Sequence, residues 1–550
     1  MGELITVSLA GCPLGVWVLM KRSHRITQPL PNASAPVLSA WLCLCAVGCS
    51  DPRPAVQSPD REVTQPARTA VKSTDEGAPP QPSAEPRQSP EVAVEPPDRR
   101  PVMPPSGRPA AAEKIDQERV AAFGIRRLQS LHLTLYTDLP PGGVIGELPE
   151  VFDQAIPQWC DYFQRDPAEL TGWKLTGYVM QTPRRFRDAG LLPADVGPFL
   201  HGYNRGLEFW IHEQPTDYYR RHLMLHEGTH AFMQTQLGGA GPPWFMEGVA
   251  ELLATHAWDG QRLTMRKMPT DRQQTPGWGR IRVIRDRVDA EQPLSLQQIF
   301  RYGPGAHRGV EPYAWSWAAA TFFDQHPRWQ AAFRALHRRV RGPATEFSER
   351  FMQQLRSDWT EITEEWQLFT HRMDYGYDVP RSAVVRRATR VVPDGGAEMQ
   401  LETDRGWQAS GWRLAADVTY LLTARGRYQL DDQPRIWWCE PEGVTIHYHR
   451  GRPLGMLLAA VSGQTPRAGD AVAPWLKPIS VGRTRHVTLR EAGTLYLAIN
   501  EPSRGLSDNI GAITVRIQRQ DVVHSQNGSS NAIDGSTGRR EPPADVVRQR

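Results

Sequence analysis

"HLMLHEGTHAFMQ", residues 222–234, places two histidines one helical turn apart, with a glutamate directly after the first. The chemistry depends on the stretch being helical. Thr216 and Asp217 offer an N-cap, Leu223, Met224, Ala231 and Phe232 supply an apolar stripe, and Gly238-Gly239 offers a stop. His226 and His230 then share one face, and neutral imidazoles one turn apart can bind a single metal ion from the same side. Glu227, on the adjoining face, can reach a water held by that ion. With 16 His among 550 residues, HExxH also arises by chance, so the motif needs a third ligand.

A candidate lies downstream in "PPWFMEGVAELLATH", residues 242–256. Pro242 and Pro243 can open a helix, and from Trp244 to His256 apolar and polar positions alternate at helical spacing. Trp244, Phe245, Val249 and Leu252 would be buried, while Glu247 and Glu251 share a face. An ordinary amphipathic helix would carry the same pattern.

HEGTH followed by WFMEGVAE resembles the gluzincin metallopeptidases, in which the glutamate of a W-[LF]-x-E-G-x-A motif is the third zinc ligand. The resemblance implies an α+β zincin-like catalytic domain. It implies Zn²⁺ held by His226, His230 and Glu247, with Glu227 as general base acting on a water at the open zinc position, and a peptide or protein as substrate. Glu251, one turn on, would orient a ligand histidine. In gluzincin aminopeptidases a tyrosine further downstream points at the developing oxyanion, and "PYAWSWAAATFF" offers Tyr313 in that role, in preference to Tyr302. The G-x-M-E-N motif that captures a free amino terminus has no counterpart before this helix, which places the resemblance with the broader peptidase-MA-like group.

Around the two motifs, "LHLTLYTDLP" (131–140), "WKLTGYVMQ" and "GLEFWIHEQ" read as strands and Glu147 to Phe163 as an amphipathic helix. Residues 206–212 are the expected edge along which an extended peptide lies. After Glu251 the chain reads as helical through Trp315–His326, Trp329–Val340 and Phe347–Arg372.

The ends speak of export. Lys21, Arg22 and Arg25 precede an apolar run, Ala35 to Gly48, ending in "AVGCS", which resembles a bacterial lipoprotein signal with Cys49 as the acylated residue. This places the chain at the bacterial cell envelope on a lipid anchor, with residues 1–49 as the signal region. The alternative is a transmembrane anchor in the apolar stretch Leu4–Met20, which Lys21 to Arg25 follow. Residues 50–112 have the Pro-rich composition of an extended spacer, and 521–550 that of a polar tail. Four of the six cysteines lie in the leader, so no disulfide framework is implied. A net charge of +4, scattered along the chain, gives no argument for nucleic acid.

The peptidase-like part spans 113–377, and after it the pattern changes to short alternating runs, expected to form an all-β sandwich over 385–520. That stretch, with its closing loop "NEPSRGLSDNIG", resembles the calcium-dependent galactophilic lectins of bacteria. The resemblance implies Ca²⁺ held by Glu501, Asp508 and Asn509 through side chains and by Gly505, with Tyr428 nearby, through backbone oxygen. It also brings a glycan into view as a partner. Glutamate stands at 501 where those lectins carry aspartate, and their sugar-contacting residues have no match. A rival reading makes the chain a surface binding protein with a vestigial peptidase-like part.

Overall fold

Strand-forming residues between Arg126 and His212 assemble a five-stranded mixed sheet. Its strands are β1 (Arg126–Gln129), β2 (Leu133–Thr137), β3 (Leu175–Met180), β4 (Gly202–Arg205) and β5 (Glu208–His212), in the order β1-β2-β3-β5-β4. The three central strands run parallel and the two outer ones antiparallel to their neighbours. The central strands are buried on both faces, which explains their nearly unbroken apolar character. One face packs Leu135, Val179 and Phe209 into the main core, and the other stacks Tyr136, Tyr178 and Trp210 over Phe186. This computed structural model describes residues 115–306, 309–463 and 472–520, all within one compact unit. Cys49, both anchor readings of 1–49, the 50–112 spacer and the 521–550 tail lie outside the described residues. Among those described, no helix is long and apolar enough to cross a membrane.

The sheet corrects one expectation. Residues 206–212 do not form a free edge, because β5 pairs with β3 on one side and β4 on the other. The edge is β4, whose polar "GYNR" gave no apolar alternation to read.

Helices α1 (Gln117–Ala122), α2 (Leu148–Phe163) and α3 (Pro183–Asp188) flank the sheet. Then α4 (Asp217–Phe232) starts at Thr216, whose hydroxyl accepts from Tyr219 N at 3.2 Å, and loosens into a π turn that Gly238 stops at φ 74°. Trp159 of α2 donates to Thr229 at 3.0 Å, locking α4 to its neighbour. The next helix, α5 (Pro243–Ala254), opens on its proline and ends before His256, which starts the hairpin β6 (His256–Trp258) and β7 (Leu263–Met265). There follow α6 (Arg280–Asp289), α7 (Leu296–Phe300), α8 (Val310–Gln325), α9 (Gln330–Arg334), α10 (Ala344–Gln354), α11 (Trp359–Arg372) and the short α12 (Val379–Ser382). The expected helix from Phe347 to Arg372 is thus two, broken where Asp358 turns its carboxylate to Trp329 and Arg328.

The remaining strands are β8 (Arg390–Val391), β9 (Ala397–Glu402), β10 (Gln408–Leu414), β11 (Thr419–Arg425), β12 (Tyr428–Asp431), β13 (Trp437–Cys439), β14 (Val444–His449), β15 (Arg452–Leu454), β16 (Leu457–Gly463), β17 (Ile479–Ser480), β18 (Thr484–Thr488), β19 (Gly493–Ile499) and β20 (Ala512–Gln520). Two sheets, β17-β16-β19-β10-β8 and β18-β11-β20-β9, share one core in which Leu457, Leu495 and Leu497 meet Leu422, Ile513 and Val515. The outer face of the first sheet is covered too: Leu458, Tyr496 and Ala498 pack with Trp407, Trp475 and Leu368 of α11. Glu365 of α11 accepts from Val384 N and from Arg386, each at 2.9 Å.

Helices α5 and α8 approach most tightly at Gly248, the glycine of WFMEG. A Cβ there would lie 2.5 Å from the Ser316 carbonyl oxygen and 3.1 Å from Ala320 Cβ. Alanine in a helix interior gains ~0.5–1 kcal/mol over glycine, but overpacking costs ~1–3 kcal/mol. Gly248→Ala is therefore expected to lower stability in urea unfolding, and an unchanged or raised midpoint would mean that the two helices separate freely.

Candidate metal centre

The bottom of α4 and the first turns of α5 bring three buried side chains to one point. His226 Nε2 and His230 Nε2 lie 3.0 Å apart, and Glu247 Oε2 lies 3.2 Å from the first and 3.3 Å from the second. A tetrahedral ion with bonds of ~2.0–2.1 Å holds its ligand atoms ~3.3 Å apart, so two imidazoles and a carboxylate at this spacing suit zinc. Glu247 Oε2, buried, accepts no aligned hydrogen bond despite this proximity. A cation at the shared point would satisfy it.

Burial alone would raise the Glu247 carboxyl, but His230 and His226 overturn that and hold it at about 2. Burial likewise opposes charge on His226, yet the Glu247 and Glu251 carboxylates push it up to about 10. A pocket this rich in negative charge favours a cation of some kind between the rings.

Glu251 sits one turn beyond Glu247 and does not face that point. Its Oε1 lies 3.3 Å from His226 Nδ1, the far side of the ligand ring, and its Oε2 lies 3.4 Å from His222 Nε2. Arg280, the first residue of α6, grips both oxygens at 3.0 Å, and Trp278 Nε1 reaches Oε2 at 3.3 Å. Burial would raise the Glu251 carboxyl, but Arg280 and then His222 hold it well below the usual carboxylate range. It is thus a fixed negative charge behind His226. His222 also reaches the Ala254 carbonyl at the end of α5 at 3.1 Å, which His256 Nδ1 approaches at 2.8 Å.

Glu227 lies against the sheet edge at β4. It is buried, and burial raises its carboxyl above the ordinary value. Gly202, the first residue of β4, lies so close that a Cβ there would overlap Glu227 Oε1. Tyr313, in the first turn of α8, stands edge-on to His226 with ring centroids 5.8 Å apart, and the Arg280 guanidinium lies 5.6 Å from its ring centre. Burial, then the Glu247, Glu227 and Glu251 carboxylates, raise its hydroxyl pKa, so it stays a proton donor at neutral pH. Tyr302, the other tyrosine weighed for this position, packs against the main core near Glu311 and Arg287.

Neither Arg280 nor His222 was assigned a role from sequence. Arg280 stands in "GRIRVIRDRVD", one of four arginines on a polar helix with no spacing to the motif, and His222 precedes HEGTH without completing any pattern.

The sandwich residues fall differently. Glu501 Oε2 accepts from Asn509 Nδ2, and a Cβ on Gly505 would lie 2.5 Å from Glu501 Oε1. Asp508 gathers with Asp431 and Asp432, ligand atoms all within 4.8 Å, two acids that the loop motif did not include. Asp508 Oδ1 and Asn509 Oδ1 are buried without a partner. Burial, with Asp508 and Asp431 adding to it against the Asn509 hydrogen bond, pushes Glu501 up to about 9. Tyr428 turns its hydroxyl to the Gly455 carbonyl at 2.6 Å. Cys160 and Cys439 are both buried and free.

No protein-family profile matches the chain, and no curated protein matches it in sequence. Among solved structures it is similar to the N-terminal domain of EclA, a PllA-like lectin (16% identity, 23% of this chain and 100% of that one, TM-score 0.18). It is also similar to PliG of Aeromonas hydrophila, a periplasmic inhibitor of g-type lysozyme (10% identity, 25% and 97%, TM-score 0.16). A third is the IMPa metallopeptidase in complex with T-antigen (12% identity, 71% and 47%, TM-score 0.14). At such scores the likenesses decide nothing about this chain.

Removing Arg280 would strip Glu251 of its two-pronged partner and leave a buried carboxylate only partly compensated by His222, His226 and Trp278. Arg280→Ala is expected to cost about 3–5 kcal/mol in urea unfolding and to weaken zinc binding ~10–100-fold in competition with a chelator. Arg280→Lys, which keeps the charge and loses the two-pronged grip, should fall between. Unchanged zinc affinity in both would remove the pair from the metal centre.

Proposed function

We propose that the chain is a zinc-dependent peptidase of the gluzincin type on a zincin-like α+β fold, followed by a lectin-like β-sandwich. The observation that carries the reading is the convergence of His226, His230 and Glu247 at 3.0–3.3 Å with Glu227 beside them. Zinc held there would supply Lewis acidity to a water and to a peptide carbonyl.

The chain's own residues do the rest. Glu227 takes a proton from the attacking water and passes it to the leaving amine, and its raised proton affinity suits both halves of that task. The Tyr313 hydroxyl donates to the carbonyl oxygen as it gains charge. Arg280 fixes Glu251, and Glu251 fixes the tilt of the His226 ring. The free edge of β4, adjoining Glu227, offers backbone groups with which an extended peptide can pair. In this reading Cys49 bears the lipid, and the peptidase works at the bacterial cell envelope on peptide or protein substrates.

In the sandwich we propose a Ca²⁺ site from Glu501, Asp508, Asn509 and the Gly505 carbonyl, widened by Asp431 and Asp432. Hard oxygen donors and mutually repelling carboxylates support it. A glycan is the ligand that such a module would take.

Purified protein is expected to hold about one zinc at this centre, lost in His226→Ala and Glu247→Ala but kept in Glu227→Gln, which should be inactive. Tyr313→Phe should keep zinc and lower kcat roughly 10²–10³-fold with KM little changed. Full zinc content in Glu247→Ala would sink the ligand assignment, and an unchanged kcat in Tyr313→Phe the donor.

Calcium is tested separately on the whole chain. Ca²⁺ in the millimolar range should raise the melting temperature above that in equal Mg²⁺, since a ligand bound only by the folded state stabilises it, and Asp508→Ala should abolish the difference. Coincident melting curves in the two cations would refute the site.

A further inference from the structure

Between α6, the end of α11 and the sandwich loops lies a seam, and a cavity of about 420 Å³ opens along it. Four arginines line it: Arg285 from α6, Arg372 from the end of α11, Arg450 from the turn after β14, and Arg504 from the loop after β19. Only Arg285 has a carboxylate partner among the described residues, Asp374 at 3.0 Å. Asp289, which lines the cavity, makes no salt bridge among the described residues though it acts on Arg450 at longer range, and Glu501, which also borders the cavity, is engaged with Asn509.

The three remaining arginines are each anchored at the cavity wall. Arg372 Nη1 lies 3.4 Å from His449 Nε2, Arg450 donates to the His371 carbonyl, and the stem of Arg504 packs on Gly376, where a Cβ would meet it at 3.0 Å. A single arginine at a helix end is ordinary capping. Two parts of the chain that each present arginine to the same space repel one another, and Asp374 and Asp289 offset that only in part. Burial and the mutual repulsion act in the same direction on the groups inside. Burial, then Arg450, lowers Arg372 to about 10, and burial, then Arg372 and Arg450, lowers His449 to about 4. The floor is apolar, with Val288, Tyr377 and Leu506, so the cavity can also seat the body that carries an anion.

We propose that this seam is a binding site for a tetrahedral oxyanion, phosphate or sulfate, held between Arg372 on one side and Arg450 and Arg504 on the other. Guanidinium groups match such an anion through paired, charge-assisted hydrogen bonds. The anion bridges the helical part and the sandwich.

The test is calorimetric titration of the full-length protein with inorganic phosphate and, separately, inorganic sulfate, each against sodium chloride at equal ionic strength. Saturable binding of one or both is expected, and the stronger of the two names the source. Arg372→Ala, Arg450→Gln and Arg504→Gln should each weaken it roughly tenfold or more, while Arg282→Ala, exposed on α6 and paired with Asp286, should not. Arg450 and Arg504 are exposed, so their variants report even if Arg372→Ala fails to fold. Binding that survives Arg450→Gln and Arg504→Gln lies elsewhere, for instance at the metal centre, and overturns the proposal. So does a titration in which neither anion exceeds chloride.

Discussion

The buried Glu251 carboxylate is the point on which the helical half turns. Its burial is tolerable because Arg280 supplies two hydrogen bonds and a full compensating charge, with Trp278 and His222 closing the remaining directions. That single group joins α5, which carries it, to α4 through His222 and His226, and to α6 through Arg280. The three helices that shape the candidate metal centre are therefore registered by one charge. A hydrophobic residue could fill the volume, but it could not dictate which way the His226 ring faces.

The same economy governs the approach to the site. Glu227 has room because Gly202 leaves space for it, and Glu247 has its position because Gly248 lets α5 lie directly against α8. Two side chains of the site are thus placed by two missing ones. Tyr313 joins from α8 by the same packing, its ring between His226 and the Arg280 guanidinium.

Much of this was legible in advance because short-range patterns encode it. The helical spacing of His226 and His230, the proline start of α5 and the Glu247–Glu251 turn are all local, and the structure places these residues together. What could not be read was set by long-range pairing. The edge strand β4 has four polar or small residues and owes its place to β5, which made the apolar run of β5 look like the edge. Arg280 is one basic residue among several on α6, distinguished only by what lies opposite it. In the sandwich the loop 501–509 was visible as an acid-rich turn, but Asp431 and Asp432 come from a distant strand end and reach Asp508 only through the fold. In the sandwich, alternation marked strands such as β11 and β20, while β16 and β19, buried on both faces, show no alternation to read, and the break between α10 and α11 turned on one aspartate side chain.

The outer face of the sheet built on β16, β19 and β10 has a final consequence. Trp407, Trp475 and Tyr496 cover it together with Leu368, and Glu365 is shared between α11 and the chain entering the sandwich. Neither half can lose its structure without uncovering aromatic surface on the other and stranding Glu365, so the stability of each is borrowed partly from its neighbour. The two halves behave in this respect as one cooperative body with two cores. A substitution in the sandwich is therefore felt, as a change in folding free energy, by helices that hold the histidines.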